Sequence, residues 1–275
     1  MISALWTRLS ANRFVLIAAA ASAAVLLVTA IFLLGGNSDE RDDGQPKLGL
    51  VTTLPLFWGE GDLGEIIQQA SEPTRTYQRL DSKYQVRLID AIDDKSLRSM
   101  HLLLLAQPRA LAASELVTLD RWVRRGGHLM VMADPALQWK SAYPLGDRRR
   151  PLFTSMMSPL FKHWGLELVL PISDDTSAEA VRQHGGLAVH TVTLGAWQQV
   201  GGTGGGACAI SADGLVAECK IGNGSAFLVA DADMLDDALW VGSGIRALSG
   251  SDDFDNMRWV EANLERLWVH RVGRK

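Results

Sequence analysis

Asp134 and Asp231 each follow directly on a short apolar run, His128 to Ala133 and Ser225 to Ala230, and Asp233 stands two residues further on. Carboxylates gathered in one place can hold a divalent cation or a cationic ligand through their oxygens. The carboxyl ends of parallel strands in an open α/β sheet are where such ligands sit. The same residues suit helix caps, Asp134 before Pro135 and Asp231 or Asp233 before Met234-Leu235, because an Asp side chain accepts from the free N–H groups of a first helical turn. At the level of sequence both roles stand open.

Nucleophilic catalysis needs a Ser or Cys at a sharp strand-to-helix turn, with a His oriented by a carboxylate. The turns after the apolar runs carry Thr52-Thr53, Gln107-Pro108, Asp134-Pro135 and Asp231-Ala232-Asp233, none of which supplies it. His101 and His128 each open an apolar run, and His163, His184, His190 and His270 lack ligand spacing. The glycine-rich stretch offers Gly202-x-Gly204-x-x-Ala207, but Ala207 leads into a hairpin strand rather than a helix, so it reads as a flexible loop and not as a dinucleotide cradle. A G-x-x-x-x-G-K-[ST] phosphate loop is also lacking. No catalytic residue, metal ligand set or cofactor is therefore expected, and any energy source must come from a partner.

Cys208 and Cys219 flank Ala212-Asp213-Gly214-Leu215. Asp-Gly between short apolar runs is a strong two-residue hairpin signal. With that turn the two cysteines fall opposite each other, with Cα atoms about 4.5–5.5 Å apart, inside the range a disulfide tolerates. An oxidising compartment would permit the bond; two small buried thiols fit the spacing equally well.

The elements that must position these groups alternate. Lys47 to Thr53 and Tyr84 to Ile89 read as strands, with helical pieces over Leu63 to Ala70 and Arg75 to Leu80 between them. His101 to Ala106 is a continuous apolar run of the kind found in strands buried on both faces. A helix with Ser114 as N-cap then carries Leu116, Leu119, Trp122 and Val123 on one side and ends at Gly126-Gly127. His128 to Ala133 follows as another buried strand, and a helix is expected to end near Trp164-Gly165. Strand, helix, strand with short connections predicts a mainly parallel α/β sheet with helices on both faces. The β-prone stretch 186–224 reads as a small antiparallel insertion or extension. The pattern resumes with Ser225 to Ala230, and Asp252, Asp253 and Asp255 open a last helix bearing Met257, Val260, Leu264, Leu267 and Trp268.

Phe14 to Leu34 is uncharged and almost wholly apolar, preceded by Arg8 and Arg13 and followed by Asp39, Glu40, Arg41, Asp42 and Asp43. A bilayer core of about 30 Å takes about 20 helical residues, so residues 1–36 read as a cytoplasmic N-terminus and one membrane crossing. The run exceeds a signal peptide's apolar region, and Gly35-Gly36-Asn37-Ser38 is a poor cleavage site. Cationic side chains stay on the cytoplasmic side, so residues 37–46 read as a tether and 47–275 as one extracytoplasmic domain at the inner membrane. The formal charge is −4 and the main concentrations of cations, Arg124-Arg125, Arg148 to Arg150 and the C-terminal tail, read as solvated loops or helix ends and give no basic face for nucleic acid.

Two segments carry a family resemblance. Leu102 to Pro135, an apolar strand, a helix ending in Gly-Gly, an apolar strand and Asp-Pro, resembles the DUF4350 family and the related auxiliary domain of gliding-motility-type ABC transporters. Gly222 to Asp233 is similar to the "G-x-G, apolar strand, D-x-D" element of those domains, and Ser141 to Pro151 resembles DUF4350 in particular. The resemblance implies a flavodoxin-like, class I glutamine-amidotransferase-like α/β domain without the amidotransferase nucleophile, carried on a membrane anchor beside an ATPase component. The Cys208/Cys219 hairpin is not a recognised feature of that family.

The expected function is a non-enzymatic, membrane-anchored accessory protein whose α/β domain binds an envelope or transporter protein or a small ligand. The alternatives are an extracytoplasmic metal-dependent hydrolase using the strand-end aspartates, and a solute-sensing domain. Candidate contacts are the carboxyl-edge residues Trp58, Glu60, Asp62, Gln107, Trp139, Arg148, Arg149 and Arg150, together with Asp134, Asp231 and Asp233, since aromatic and Arg side chains are enriched in interface hot spots.

Overall fold

A computed structural model describes residues 45–57, 72–144, 146–171 and 179–272. The expected membrane segment, nearly all of the tether, the helical piece 63–70 and the candidate contacts Trp58, Glu60 and Asp62 lie outside them. Among the described residues no helix is long and apolar enough to cross a membrane.

The domain is mixed α/β around a mostly parallel sheet. Five parallel strands, β1 (Lys47–Thr52), β2 (Gln85–Leu88), β3 (Leu102–Ala106), β4 (His128–Met132) and β11 (Gly224–Val229), lie in the order β2-β1-β3-β4-β11. Two antiparallel strands, β10 (Val216–Ile221) and β9 (Ala207–Ile210), extend the sheet beyond β11. The remaining strands form two separate pairs: β5 (Leu166–Val169) with β8 (Ala196–Gln199), and β6 (Glu179–His184) with β7 (Leu187–Val192).

The continuous apolar runs follow from this placement. Alternate side chains of β1, β3, β4 and β11 enter opposite layers, and both layers are covered. Leu48, Leu50, Leu102, Leu104, Met130 and Met132 pack under α1 (Arg75–Lys83) and α6 (Asn256–Val272). Leu103, Leu105, Leu129 and Val131 pack under α2 (Ala113–Arg124) and α3 (Ser158–His163). A strand covered on both faces has no water-facing side to make polar, which is why β3 and β4 read as unbroken apolar stretches.

Helix ends are set by capping groups. Thr74 caps α1, its Oγ1 accepting from Tyr77 N–H at 3.2 Å. Ser114, expected as an N-cap, instead lies within the first turn of α2. The Glu115 carboxylate satisfies the Ala112 N–H at 2.9 Å, so an alanine serves as the boundary residue. The last helix begins one residue after Asp255, while Asp252 and Asp253 turn away to Arg79 and Ser243.

The hairpin of β9 and β10 places Cys208 opposite Cys219, and a disulfide joins them. Beyond β11 the chain passes through a 3-10 turn (Asp233–Leu235) and the short helices α4 (Asp237–Trp240) and α5 (Gly244–Ser249) before α6. Asn256, fully buried at the start of α6, binds these parts together: Oδ1 accepts from His190 N–H at 2.7 Å, and Nδ2 donates to the carbonyls of His190 and Met234.

Candidate functional site

Parallel strands that end together bring their following residues together. Thr53 after β1, Gln107 after β3, Asp134 after β4 and Asp231 after β11 gather at the carboxyl edge of the sheet. One carboxylate oxygen from each of Asp134, Asp231 and Asp233 lies within 4.8 Å of the other two. The juxtaposition expected for a ligand site is present. Its surroundings are not those of a ligand site.

Asp134 and Asp231 are completely buried and Asp233 is 2% exposed, and their oxygens are committed to main-chain donors. Asp134 Oδ1 accepts from Ala136 N–H at 2.7 Å and Oδ2 from Ala232 N–H at 3.2 Å. Asp231 Oδ1 accepts from Met234 N–H at 3.0 Å and Oδ2 from Val192 N–H at 3.0 Å. Asp233 Oδ2 accepts from Gln138 N–H at 2.8 Å. Those donors belong to the loop after β4, the end of β7 and the turn after β11. The cluster is thus a knot that fastens three connections to the sheet edge. Capping of the following turn, one of the two open roles, is what Asp231 does for Met234.

Buried carboxylates this close cannot all carry charge. Burial, reinforced by Asp233, pushes Asp134 up to about 8. Burial raises Asp231 well above the ordinary carboxylate range, with Asp134 and Asp233 adding to it. Burial also lifts Asp233 to about 7, against the opposing main-chain N–H bonds. In each case desolvation of the charged form leads; like-charge repulsion comes second for Asp134 and Asp231, whereas for Asp233 the opposing Gln138 N–H bond outweighs repulsion by Asp236.

Gln107 closes the knot from the β3 side. It is buried and has a φ of 41°, a left-handed backbone that a side chain seldom adopts. The conformation is held from every side. Its N–H donates to Met132 O at 2.8 Å, its Oε1 accepts from Asp134 N–H at 2.9 Å, and its Nε2 donates to Leu152 O at 2.8 Å and Asp134 O at 3.3 Å. Its own carbonyl accepts from Thr53 Oγ1 at 2.6 Å.

The expected contact surface therefore needs correction. Gln107, Asp134, Asp231 and Asp233 are interior residues, because their polar atoms are consumed in joining loops. Trp139 is only 8% exposed and belongs to the same buried cluster as Leu137, Met234 and Leu235, in the layer under α1 and α6, so it is core and not an exposed anchor. Arg148 and Arg149 are exposed, whereas Arg150 is half-buried. Arg149 pairs with Asp147 at 2.7 Å and lies 4.0 Å over the Tyr143 ring, and Arg150 Nη1 donates to Tyr143 O. Exposed Phe153 (59%) and Met156 (51%), which the sequence did not single out, follow in the same loop; a large apolar residue within a polar loop was the available signal.

A catalytic cation needs a coordination position open to water or substrate. The three aspartates are at most 2% exposed and already accept at least five main-chain hydrogen bonds. The donor set does not fit a catalytic metal.

Residues 45–175 match the auxiliary family described as an ABC-type uncharacterized transport system. The matched stretch runs from the start of β1 through α2 and β4 to just past β5, somewhat under half of the chain. No curated protein matches by sequence. Among solved structures, the exo-β-1,4-mannosidase Op5Man5 from Opitutaceae bacterium strain TAV5 is similar at 16% identity, covering 79% of this chain and 36% of that one, with a TM-score of 0.40. A β-galactosidase from Bacillus circulans sp. alkalophilus is similar at 14% identity, over 69% of this chain and 29% of that one, with a TM-score of 0.38. The chain thus spans about a third of the length of these enzymes, and likenesses this distant carry no argument about activity.

Proposed function

We propose that this protein is a non-enzymatic accessory component of an ABC-type transport or envelope system, its α/β domain held outside the cytoplasm by one membrane-spanning segment and docking on a neighbouring membrane protein. The family match over residues 45–175 supports the transport-associated role. The membrane anchor over Phe14 to Leu34, the extracytoplasmic location and the ATPase-bearing partner rest on the sequence reading. The parallel strand order β2-β1-β3-β4-β11 is the flavodoxin-like one, in keeping with the amidotransferase-like domain that the DUF4350 resemblance implies. The strand-end turns carry Thr53, Gln107, Asp134 and Asp231, which fits a domain of that kind without its nucleophile.

The observation that carries the binding role is the contrast at the carboxyl edge. The polar cluster that could have served a substrate is sealed, while the loop beside it presents Arg148, Arg149, Phe153 and Met156 to solvent. Exposed apolar side chains beside arginines have the composition of an interface. Affinity purification of the full chain in mild detergent, followed by mass spectrometry, tests this. An ABC-type ATPase or permease component is the expected co-purifying protein. A paired Arg148→Glu and Phe153→Ala substitution should reduce its recovery with the thermal midpoint unchanged. Recovery equal to the parent would move the interface elsewhere.

A further inference from the structure

The opposite pole of the sheet carries a cationic cleft that the accessory role does not use. Its walls come from the segment leading into β3, with Asp94, Leu97, Arg98, Met100 and His101, and from the C-terminal turn of α2, with Arg121, Trp122, Arg125, Gly126 and Gly127, around a volume of about 440 Å³. Three guanidinium groups face one carboxylate there, in a chain whose overall charge is −4. Among the described residues the guanidinium groups of Arg98 and Arg125 have no ion pair or hydrogen bond, and both residues are exposed. Arg121 reaches Asp94 only at 3.9 Å, and that carboxylate is 71% exposed. Leu97 and Met100 are buried and form an apolar floor, and the Trp122 indole is fixed beside it by donating to Met100 O at 3.3 Å. Gly127 makes room for that ring, since a Cβ there would come within 2.5 Å of it.

The register pairs Leu48 of β1 with Leu102 of β3, so Lys47, where the chain enters the domain, stands one strand away from His101 in the cleft wall. Neighbouring strands lie about 4.8 Å apart. The entry point of the chain and the cleft therefore share one pole. If the sequence from Asn37 to Pro46 tethers the domain to a bilayer, this pole is held within roughly 35 Å of the headgroups.

We propose that this cleft binds the phosphodiester of an anionic phospholipid headgroup, with Arg98, Arg121 and Arg125 on the phosphate and Trp122 beside the glycerol and first acyl carbons. Guanidinium forks match phosphate oxygens in bidentate geometry, and three cations facing one carboxylate favour a headgroup of net negative charge over a zwitterionic one, whose ammonium they repel. An indole over an apolar floor is suited to the zone where headgroup meets hydrocarbon. The assignment rests on the membrane-anchored reading of the proposed function.

Native mass spectrometry of the full chain in a neutral detergent, titrated with phosphatidylglycerol or phosphatidylcholine, tests it. Phosphatidylglycerol should be retained in preference. Each arginine replaced should weaken retention about fivefold, so Arg98→Gln with Arg125→Gln should weaken it about 25-fold. Asp94→Asn should strengthen it, because it removes the carboxylate that competes for Arg121. These residues are exposed or half-exposed, and unchanged thermal midpoints confirm intact folding. Equal retention of the two lipids, or a double variant that behaves as the parent, overturns the assignment. Glycerol 1-phosphate binding as tightly as the lipid makes the cleft a soluble-phosphate site, and displacement by poly-glutamate without headgroup preference makes it a site for an acidic protein segment; either outcome overturns it too. Alkaline extraction of membranes bearing the full chain reads the anchor separately: release into the soluble fraction defeats the membrane reading, whereas the titration in detergent still reports on the cleft.

Discussion

Gln107 and Asp134 exchange hydrogen bonds between side chain and main chain: Asp134 N–H donates to Gln107 Oε1 at 2.9 Å, and Gln107 Nε2 donates back to Asp134 O at 3.3 Å. This exchange joins the ends of β3 and β4 where both backbones leave the sheet. Gln107→Ala would strand a buried N–H and the Leu152 carbonyl, at about 2–4 kcal/mol for the two. Chemical denaturation should show that loss. Gln107→Glu keeps the acceptor but places a fourth acid in the cluster, so its deficit should be larger at pH 8 than at pH 5. A deficit independent of pH would mean that the glutamate side chain leaves the cluster.

The cluster makes stability depend on pH with a definite sign. The folded values of Asp134 and Asp233, about 8 and about 7, lie above the value near 4 of an unfolded aspartate. A raised folded value means that the folded state binds more protons, so the contribution is fully present below about pH 4 and is lost as pH rises through the folded values. Thermal midpoints should therefore fall from pH 5 to pH 8.5. Asp134→Asn should flatten that slope, and an unchanged slope in this variant would disconnect the cluster from it.

The Cys208–Cys219 disulfide closes a short loop between strands that already pair. Loop-closure entropy for a dozen residues gives about 3 kcal/mol as an upper value. Reduction, or the double Cys→Ser variant, should lower stability by about 1–3 kcal/mol with the sheet retained in circular dichroism. Loss of the folded signal would instead make the bond a requirement for folding.

Trp139 is a core residue, so Trp139→Ala should cost about 3–5 kcal/mol. The measurement is a denaturation midpoint. A change below about 1 kcal/mol, the scale of a surface substitution, would show that the side chain is not packed as described.

Glu261, only 4% exposed, receives Arg79 at 2.7 Å and also binds Lys83. Arg79 makes a second pair with Asp252 at 2.8 Å. Because Arg79 and Lys83 reach solvent, Glu261→Ala should cost less than a fully buried pair, about 2 kcal/mol. Arg79→Ala leaves the acid buried with Lys83 alone, and chemical denaturation should read a loss of about 2 kcal/mol or more.

Several features were legible because they are local. Leu102 to Ala106 and His128 to Met132 are apolar without alternation, and only a strand covered on both faces satisfies such a run, so the parallel α/β class followed. Asp213-Gly214 fixed a turn, and counting back from it placed Cys208 opposite Cys219. The strand-end position of Asp134 and Asp231 was equally readable, since each directly follows an apolar run.

Whether those aspartates would face a ligand or the protein was not readable. An Asp that binds a cation and an Asp that accepts from Val192 N–H, 39 residues away, occupy the same sequence context. Trp139 and Arg149 sit in one irregular loop, yet the indole joins the buried cluster that holds Met234 and Leu235 while Arg149 stays exposed. Arg125 became a cleft wall because the segment holding Arg98 lies beside it. The sequence by itself determined periodicity and turns, and through them the elements of the fold, since these depend on neighbours within a few residues. Burial and partner choice were decided by the tertiary structure alone, because they depend on which distant backbone groups arrive at the same edge of the sheet.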